Sequence, residues 1–186
     1  LSLVNTLSGN IEQAIDYGQK AIATFGEAFG GDHPETASPN FNLANAYLSF
    51  GEVDKALPFA KKAYEIRKKG YGKNHPLFAK SANQMAIINW KKKDFKAAQG
   101  FYNETFENYF GQINAFFPVL TEEEKAKFYY TKLRPAFEQY ISFIQESTLG
   151  EDKTKLGEIY DFQLSLKGLI MYATAKVRES ILASGD

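Results

Sequence analysis

Two tripeptides, Asp32-His33-Pro34 and Asn74-His75-Pro76, stand 42 residues apart, and the offset extends well beyond them. It carries Ala44 to Ala86, Ala56 to Ala98, Phe59 to Phe101 and Tyr64 to Phe106. Run backwards, it carries Gly51 to Gly9, Val53 to Ile11, Asp54 to Glu12, Ala56 to Ala14 and Ala63 to Ala21. A chain that echoes itself at such a period is built from stacked copies of one supersecondary unit, each burying its apolar face on the next. The constraint reaches function too, because stacked repeats present an extended concave surface that suits protein partners better than it suits one catalytic pocket.

Within each copy the apolar spacing is helical. Phe41, Ala44, Tyr47 and Leu48 recur at one helix turn, and Val53, Ala56, Leu57, Ala60, Ala63, Tyr64 and Ile66 form a single stripe. Gly51 lies between the two stretches, where a tight helix–helix turn needs a residue that accepts positive φ; Lys93-Asp94 takes its place in the next copy. Sustained period-two alternation, the mark of a strand, is absent. The spacing predicts a lone second helix at 10–29, then antiparallel pairs at 36–50 with 52–69 and at 77–92 with 95–110. Pro34 and Pro76 fall at the mouth of a helix, where a missing N–H costs little. Pro39 lies five residues further in than Pro34, so its helix is expected either to start late with Ser38 as its cap or to kink. Pro58, in the opening turns of its helix, is expected to bend it slightly.

The period stops after residue 110. Gly111 to Pro118 reads as an aromatic-rich connector. Thr121-Glu-Glu-Glu124 then opens a helix as a capping box, and its glutamates favour the positive end of the helix dipole. Capping accounts for this acidic cluster without any catalytic role. The helix spans 122–133, Pro135 punctuates it, and a second stretch covers 136–147. Leu149 to Thr154 reads as a polar loop, followed by a long helix over about 155–183. Tyr129, Tyr130, Phe137, Tyr140 and Phe143 keep helical spacing and are expected in a core. The fold class is therefore all-α: a solenoid of antiparallel helix pairs over residues 1–110 (a half repeat at 9–30, then repeats at about 33–74 and 75–110), with a C-terminal helical region, 111–186, ending in a long helix.

Charge is balanced overall but segregated along the chain. Residues 51–100 hold twelve Lys/Arg against four Asp/Glu, whereas the first fifty hold one against five. A basic middle would attract an acidic partner; the plainer expectation is that Lys61, Lys62, Arg67, Lys68 and Lys69 coat the solvated outer face of one helix. No nucleic-acid-binding module is recognisable. No apolar run approaches the roughly 18 residues of a membrane span, and the start, which is not Met, has no signal-peptide pattern. The absence of cysteine excludes disulfides and thiolate catalysis within these 186 residues and fits a reducing, cytoplasmic setting.

The repeat resembles the 42-residue tetratricopeptide repeat of the kinesin light chain type. The residues that carry this are His33-Pro34-Glu35-Thr36-Ala37, Asn42-Leu43-Ala44, Tyr47, Gly51 and Ala56, then His75-Pro76, Ala79, Asn83, Ala86 and Ala98. The likeness covers residues 9–110, departs at Pro39, at Lys93 for Gly51 and at Asn89 for Tyr47, and implies a right-handed α-solenoid. From about residue 116 the tail resembles the helical region that precedes a CHAT domain, a caspase-like protease module fused to tetratricopeptide arrays in bacteria. Leu133-Arg134-Pro135, Ile159-Tyr160-Asp161, Leu166-Lys167-Gly168-Leu169-Ile170 and Arg178 with Ile181 to Asp186 carry that resemblance. It implies a linker towards a catalytic domain whose histidine and cysteine would lie beyond residue 186.

In an array of this kind the first helix of each pair lines the concave groove. With Leu43, Ala44 and Tyr47 packed between helices, the groove positions fall at Ser38, Phe41, Asn42, Asn45 and Ser49, and one repeat later at Lys80, Asn83, Gln84, Ile87 and Lys91. Amides both donate and accept and so satisfy an extended peptide backbone, while lysine adds a charge-assisted bond. Peptide-binding tetratricopeptide grooves, which this one resembles, use Asn and Lys in the same way. His33 and His75 stand one repeat apart, too far to share a metal ion, and are expected to be turn residues ahead of proline. Trp90 of Trp90-Lys-Lys-Lys93 is expected to pack on the following helix.

Three functions are compatible with these residues. The first is a non-catalytic module that binds a protein or peptide, without cofactor, metal, nucleic acid or membrane, as the sensor or scaffold arm of a larger protein. The second is the regulatory fragment of a caspase-like cysteine protease. The third is self-association through exposed solenoid ends.

Overall fold

The apolar periodicity above is realised as seven α-helices among residues 11–147, which together with Gly157 are the residues the computed structural model describes. They are α1 (Ile11–Phe29), α2 (Ala37–Ser49), α3 (Val53–Tyr71), α4 (Pro76–Lys91), α5 (Phe95–Phe116), α6 (Glu122–Phe128) and α7 (Arg134–Ser147). No strand occurs among the described residues. The long helix expected over about 155–183 lies outside them, as do Ile159 to Asp186. The chain divides into two compact units, residues 1–108 and 109–186.

In the first unit, α2 and α3 form one pair and α4 with the opening turns of α5 the next. Their shared core joins Leu43, Ala44 and Tyr47 of α2, Ala56, Ala60 and Tyr64 of α3, and Phe78, Ala82, Met85 and Ile88 of α4. The alanines let the helix axes approach closely; Ala56, Ala60 and Ala63 are fully buried. The larger side chains then interlock, with Tyr47 stacked on Phe59 at 5.8 Å and the Tyr64 ring 5.4 Å from Phe78 and edge-on to Phe101.

Repeat symmetry extends to helix entry. His33 Nδ1 accepts the Glu35 N–H and His75 Nδ1 accepts the Leu77 N–H, so each imidazole caps the element that its proline opens. The ring before each histidine, again at a spacing of one repeat, stacks on it: Phe29 on His33 at 5.2 Å and Tyr71 on His75 at 4.5 Å. The two histidines are thus turn residues with a defined capping task.

Pro39 does not delay its helix, and Ser38 is not the cap: the helix runs unbroken from Ala37 through Pro39 to Ser49. A 3-10 turn, Pro34–Thr36, leads directly into α2 at Ala37. This places Pro39 among the first four helical positions, whose N–H groups have no intrahelical acceptor in any case. Buried Thr36 donates its hydroxyl to His33 O, and Asn40 donates to Thr36 O, tying down the junction.

The inter-helix turns repeat closely. Gly51 takes φ 76° and its counterpart Lys93 takes φ 63°. Glu52 N donates to Tyr47 O at 3.0 Å, and Asp94 N donates to Asn89 O at 2.9 Å. A left-handed backbone costs a side-chain-bearing residue roughly 1–2 kcal/mol, while glycine gives some of that back as chain entropy. Lys93→Gly is therefore expected to stabilise the chain by about 1 kcal/mol. A thermal midpoint equal to or below that of the parent would refute this.

In the second unit Phe117 and Tyr109 both meet Phe128 edge-on, at 5.5 and 6.0 Å. The capping box forms as expected: Thr121 Oγ1 accepts the Glu124 N–H and Glu124 Oε2 accepts the Thr121 N–H. That N–H, followed by the Thr121 hydroxyl, holds the Glu124 carboxyl below its ordinary pKa. Three expectations are corrected here. Helix α5 continues through Gly111 to Phe116, because buried Gln112 and Ile113 anchor its last turns. Pro135 does not separate two helices: a π-helical segment, Tyr129–Leu133, joins α6 to α7, and its wider turn accommodates the proline ring. The same wide turn shifts the helical register, so Phe137, Tyr140 and Phe143 are buried while Tyr130 is 60% exposed.

Candidate protein-binding groove

The groove positions predicted from spacing lie on α2 and α4, the first helices of their pairs. Ser38, Asn42 and Ser49 of α2 are exposed, as are Lys80 and Lys91 of α4; Phe41, Asn45, Asn83 and Ile87 are half-buried. Lys80 lies one repeat beyond Ser38. Together these side chains offer neutral amides and two cationic tips on neighbouring helices, a combination that can pair with a peptide backbone and with carboxylates.

Gln84 is the exception and is corrected. It is only 2% exposed, and its Nε2 donates to Phe41 O at 3.0 Å and to Asn45 Oδ1 at 2.7 Å. Its amide is a cross-brace between α2 and α4, and it also takes up one face of Asn45. Ser49 in turn donates its hydroxyl to Asn45 O. A side chain one methylene longer than its counterpart, Asn42, reaches the preceding first helix instead of the solvent.

Arg67 is the second correction. Lys61, Lys62 and Lys69 do lie on the solvated face of α3, and Lys62 pairs with Asp32. Arg67, by contrast, is 3% exposed. It donates to Ser81 Oγ at 2.9 Å, to Leu77 O at 3.3 Å and to Ser38 Oγ at 3.4 Å, and its guanidinium lies 4.6 Å from the centre of the Phe41 ring. Burial pushes the group down to about 10 from its ordinary value. One side chain of a second helix thereby ties together two first helices, α2 and α4. The signal for it was present in the spacing: Arg67 extends the stripe of Ala60, Ala63 and Tyr64, and its counterparts one repeat away are Phe25 and Tyr109.

Comparison with known proteins agrees with this architecture. A family model described as the tetratricopeptide repeat matches residues 1–69 and again residues 40–109, together more than half of the chain. The chain belongs to the tetratricopeptide repeat family. Two crystal structures of a putative kinesin light chain from Podosopora anserina with nearly identical TPR-like repeats, one of them a point variant, share the fold. The first is 17% identical at a TM-score of 0.56, covering 97% of this chain and 92% of that one. The second is 18% identical at 0.57, covering 100% and 93%. No curated protein matches the chain. As a tetratricopeptide repeat protein it has the all-α solenoid architecture of a protein-interaction scaffold, an architecture that is generally non-catalytic. No helix among the described residues is long and apolar enough to cross a membrane.

Proposed function

We propose that this tetratricopeptide array captures an extended peptide segment of a protein partner across α2 and α4, and that it acts as a non-catalytic sensor or scaffold arm. The observation that carries the reading is the pairing of exposed Asn42 and Ser49 with exposed Lys80 and Lys91 on neighbouring first helices, over a floor braced by Gln84 and Arg67. Rigid bracing beneath the contact surface lowers the ordering cost of binding. The basic balance of residues 51–100 favours a partner with acidic side chains.

The residues of the tail that resemble the approach to a CHAT domain support a finer reading, in which the array is the sensor arm of a bacterial, cytoplasmic TPR-CHAT protein. Under that reading a regulatory role beside a caspase-like cysteine protease is the alternative. Self-association through solenoid ends is a further use of the same architecture.

The test of the groove is a triple variant, Asn42→Ala, Lys80→Ala and Lys91→Ala, compared with the parent in affinity capture followed by titration of the captured partner. All three side chains are exposed, so thermal stability should hold while partner affinity falls at least about tenfold, the equivalent of 1.4 kcal/mol. Identical partner sets and affinities for the two proteins would sink the groove assignment.

A further inference from the structure

Arg67 carries its charge into the interior without a counter-ion. Its hydrogen-bond acceptors are two hydroxyls and a backbone carbonyl, and its Nε, also buried, has no partner. Burying a cation is costly unless an anion faces it. The two hydroxyls differ in access. Ser81 is fully buried, whereas Ser38 is exposed and accepts from Arg67 Nη2 at 3.4 Å. That exposure belongs to the position within the repeat: Lys80, the counterpart of Ser38, is exposed on α4 although Gln84 bonds α4 to α2 beside it. The counterpart of Arg67 is Tyr109, so the pairing of an exposed hydroxyl with a buried cation is particular to one repeat. Ser38 is also the second residue of α2, a helix with no acidic residue in its first turn and no side-chain cap bond from Thr36. Unpaired N–H groups and the helix dipole favour an anion at such a position.

We propose that Ser38 is a phosphorylation site whose phosphate clasps Arg67 and so locks α2 to α3 and α4. At 3% exposure the guanidinium is closed to a free anion, but a group attached to the Ser38 oxygen is delivered to its side. A serine kinase with ATP supplies it. The bond from Ser38 Oγ to the γ phosphorus forms, the bond from that phosphorus to the β,γ-bridging oxygen breaks, ADP leaves, and the hydroxyl proton passes to the kinase's base. The product carries about 1.5 to 2 negative charges at neutral pH and three acceptor oxygens. Those oxygens match the planar donor fork of arginine, while Leu77 O and Ser81 Oγ hold the guanidinium from α4. Glu35, three residues earlier and exposed, repels the phosphate, though through solvent, where salt screens it. The unmatched charge of the unmodified chain is what modification removes.

The test compares the full chain carrying genetically encoded phosphoserine at position 38 with the unmodified chain. Its thermal midpoint is expected to rise by about 4 °C or more, and in an Arg67→Met background the rise should shrink by at least half. Phosphorus NMR supplies a measurement that needs no variant. The phosphate of the folded chain should lose its second proton at a lower pH than the same phosphoserine in a peptide of residues 33–43. Tandem mass spectrometry of the protein purified from its own cells, with phosphatase inhibitors present, should find phosphate on Ser38. An unchanged or lowered midpoint, or a rise reduced by less than half in the Arg67→Met background, would overturn the proposal. So would a phosphate that titrates as it does in the peptide, or cellular protein without phosphate on Ser38.

Discussion

Arg67→Ala is expected to destabilise the first unit by about 3 kcal/mol, a large effect for a residue whose type suggests a solvated surface. The guanidinium is buried without a carboxylate among its hydrogen-bond partners, so its charge is a cost at neutral pH. The sign follows from the shift: a cationic group pushed down to about 10 when folded, below its ordinary value, contributes stability that rises as pH climbs past about 10. What outweighs that cost is geometry. Three acceptors on two helices, Leu77 O, Ser81 Oγ and Ser38 Oγ, and the face of Phe41 all meet one side chain. Truncation strips a fully buried Ser81 of its donor and opens a void where three helices meet. Arg67→Met keeps much of the packed stem and removes the charge, so it should lose only about 1 kcal/mol. Urea unfolding midpoints at constant m-value measure both. If alanine and methionine cost the same, and each less than about 1 kcal/mol, Arg67 is no brace.

Phe78→Ala should cost about 4 kcal/mol, the largest effect of any single change considered. Phe78 is 1% exposed and sits in the first turn of α4, where it packs on the Tyr64 ring; Tyr64 in turn meets Phe101 edge-on. Its removal therefore empties the contact between consecutive repeats, a layer that no loop can relax to fill. Phe78→Leu, which retains most of the volume, should cost less than half as much. The same urea titration decides the matter, and a cost below about 1 kcal/mol for alanine would mean that the repeats are not coupled through this ring.

Much of the architecture was legible before any coordinates. The 42-residue offset and the 3.6-residue spacing located α1 to α4 within two residues at each end, and Thr121 to Glu124 announced their capping box. Those signals are local: backbone hydrogen bonding and the burial of one stripe are decided within a few turns of chain. Side-chain exposure was legible only in part. Asn42, Ser49, Lys80 and Lys91 lie exposed where spacing put them, whereas Gln84, at the register of Asn42, is buried by reach.

The all-α class, the stacked repeat and the turn at Gly51 were determined by the sequence alone, since periodicity and the φ values that glycine permits belong to the chain itself, whereas at Lys93 the packed helices impose a φ of 63° that the residue type disfavours. Tertiary structure decided the rest. Whether a long polar side chain at a given register points to water or bridges two helices depends on how near the next helix lies and which acceptors it offers. Arg67 finds Ser81 and Leu77 O, and Gln84 finds Phe41 O, only because the small-residue stripes draw α2, α3 and α4 together. Residue type predicts solvation in an average environment, and at these two positions the packed neighbours replace the average.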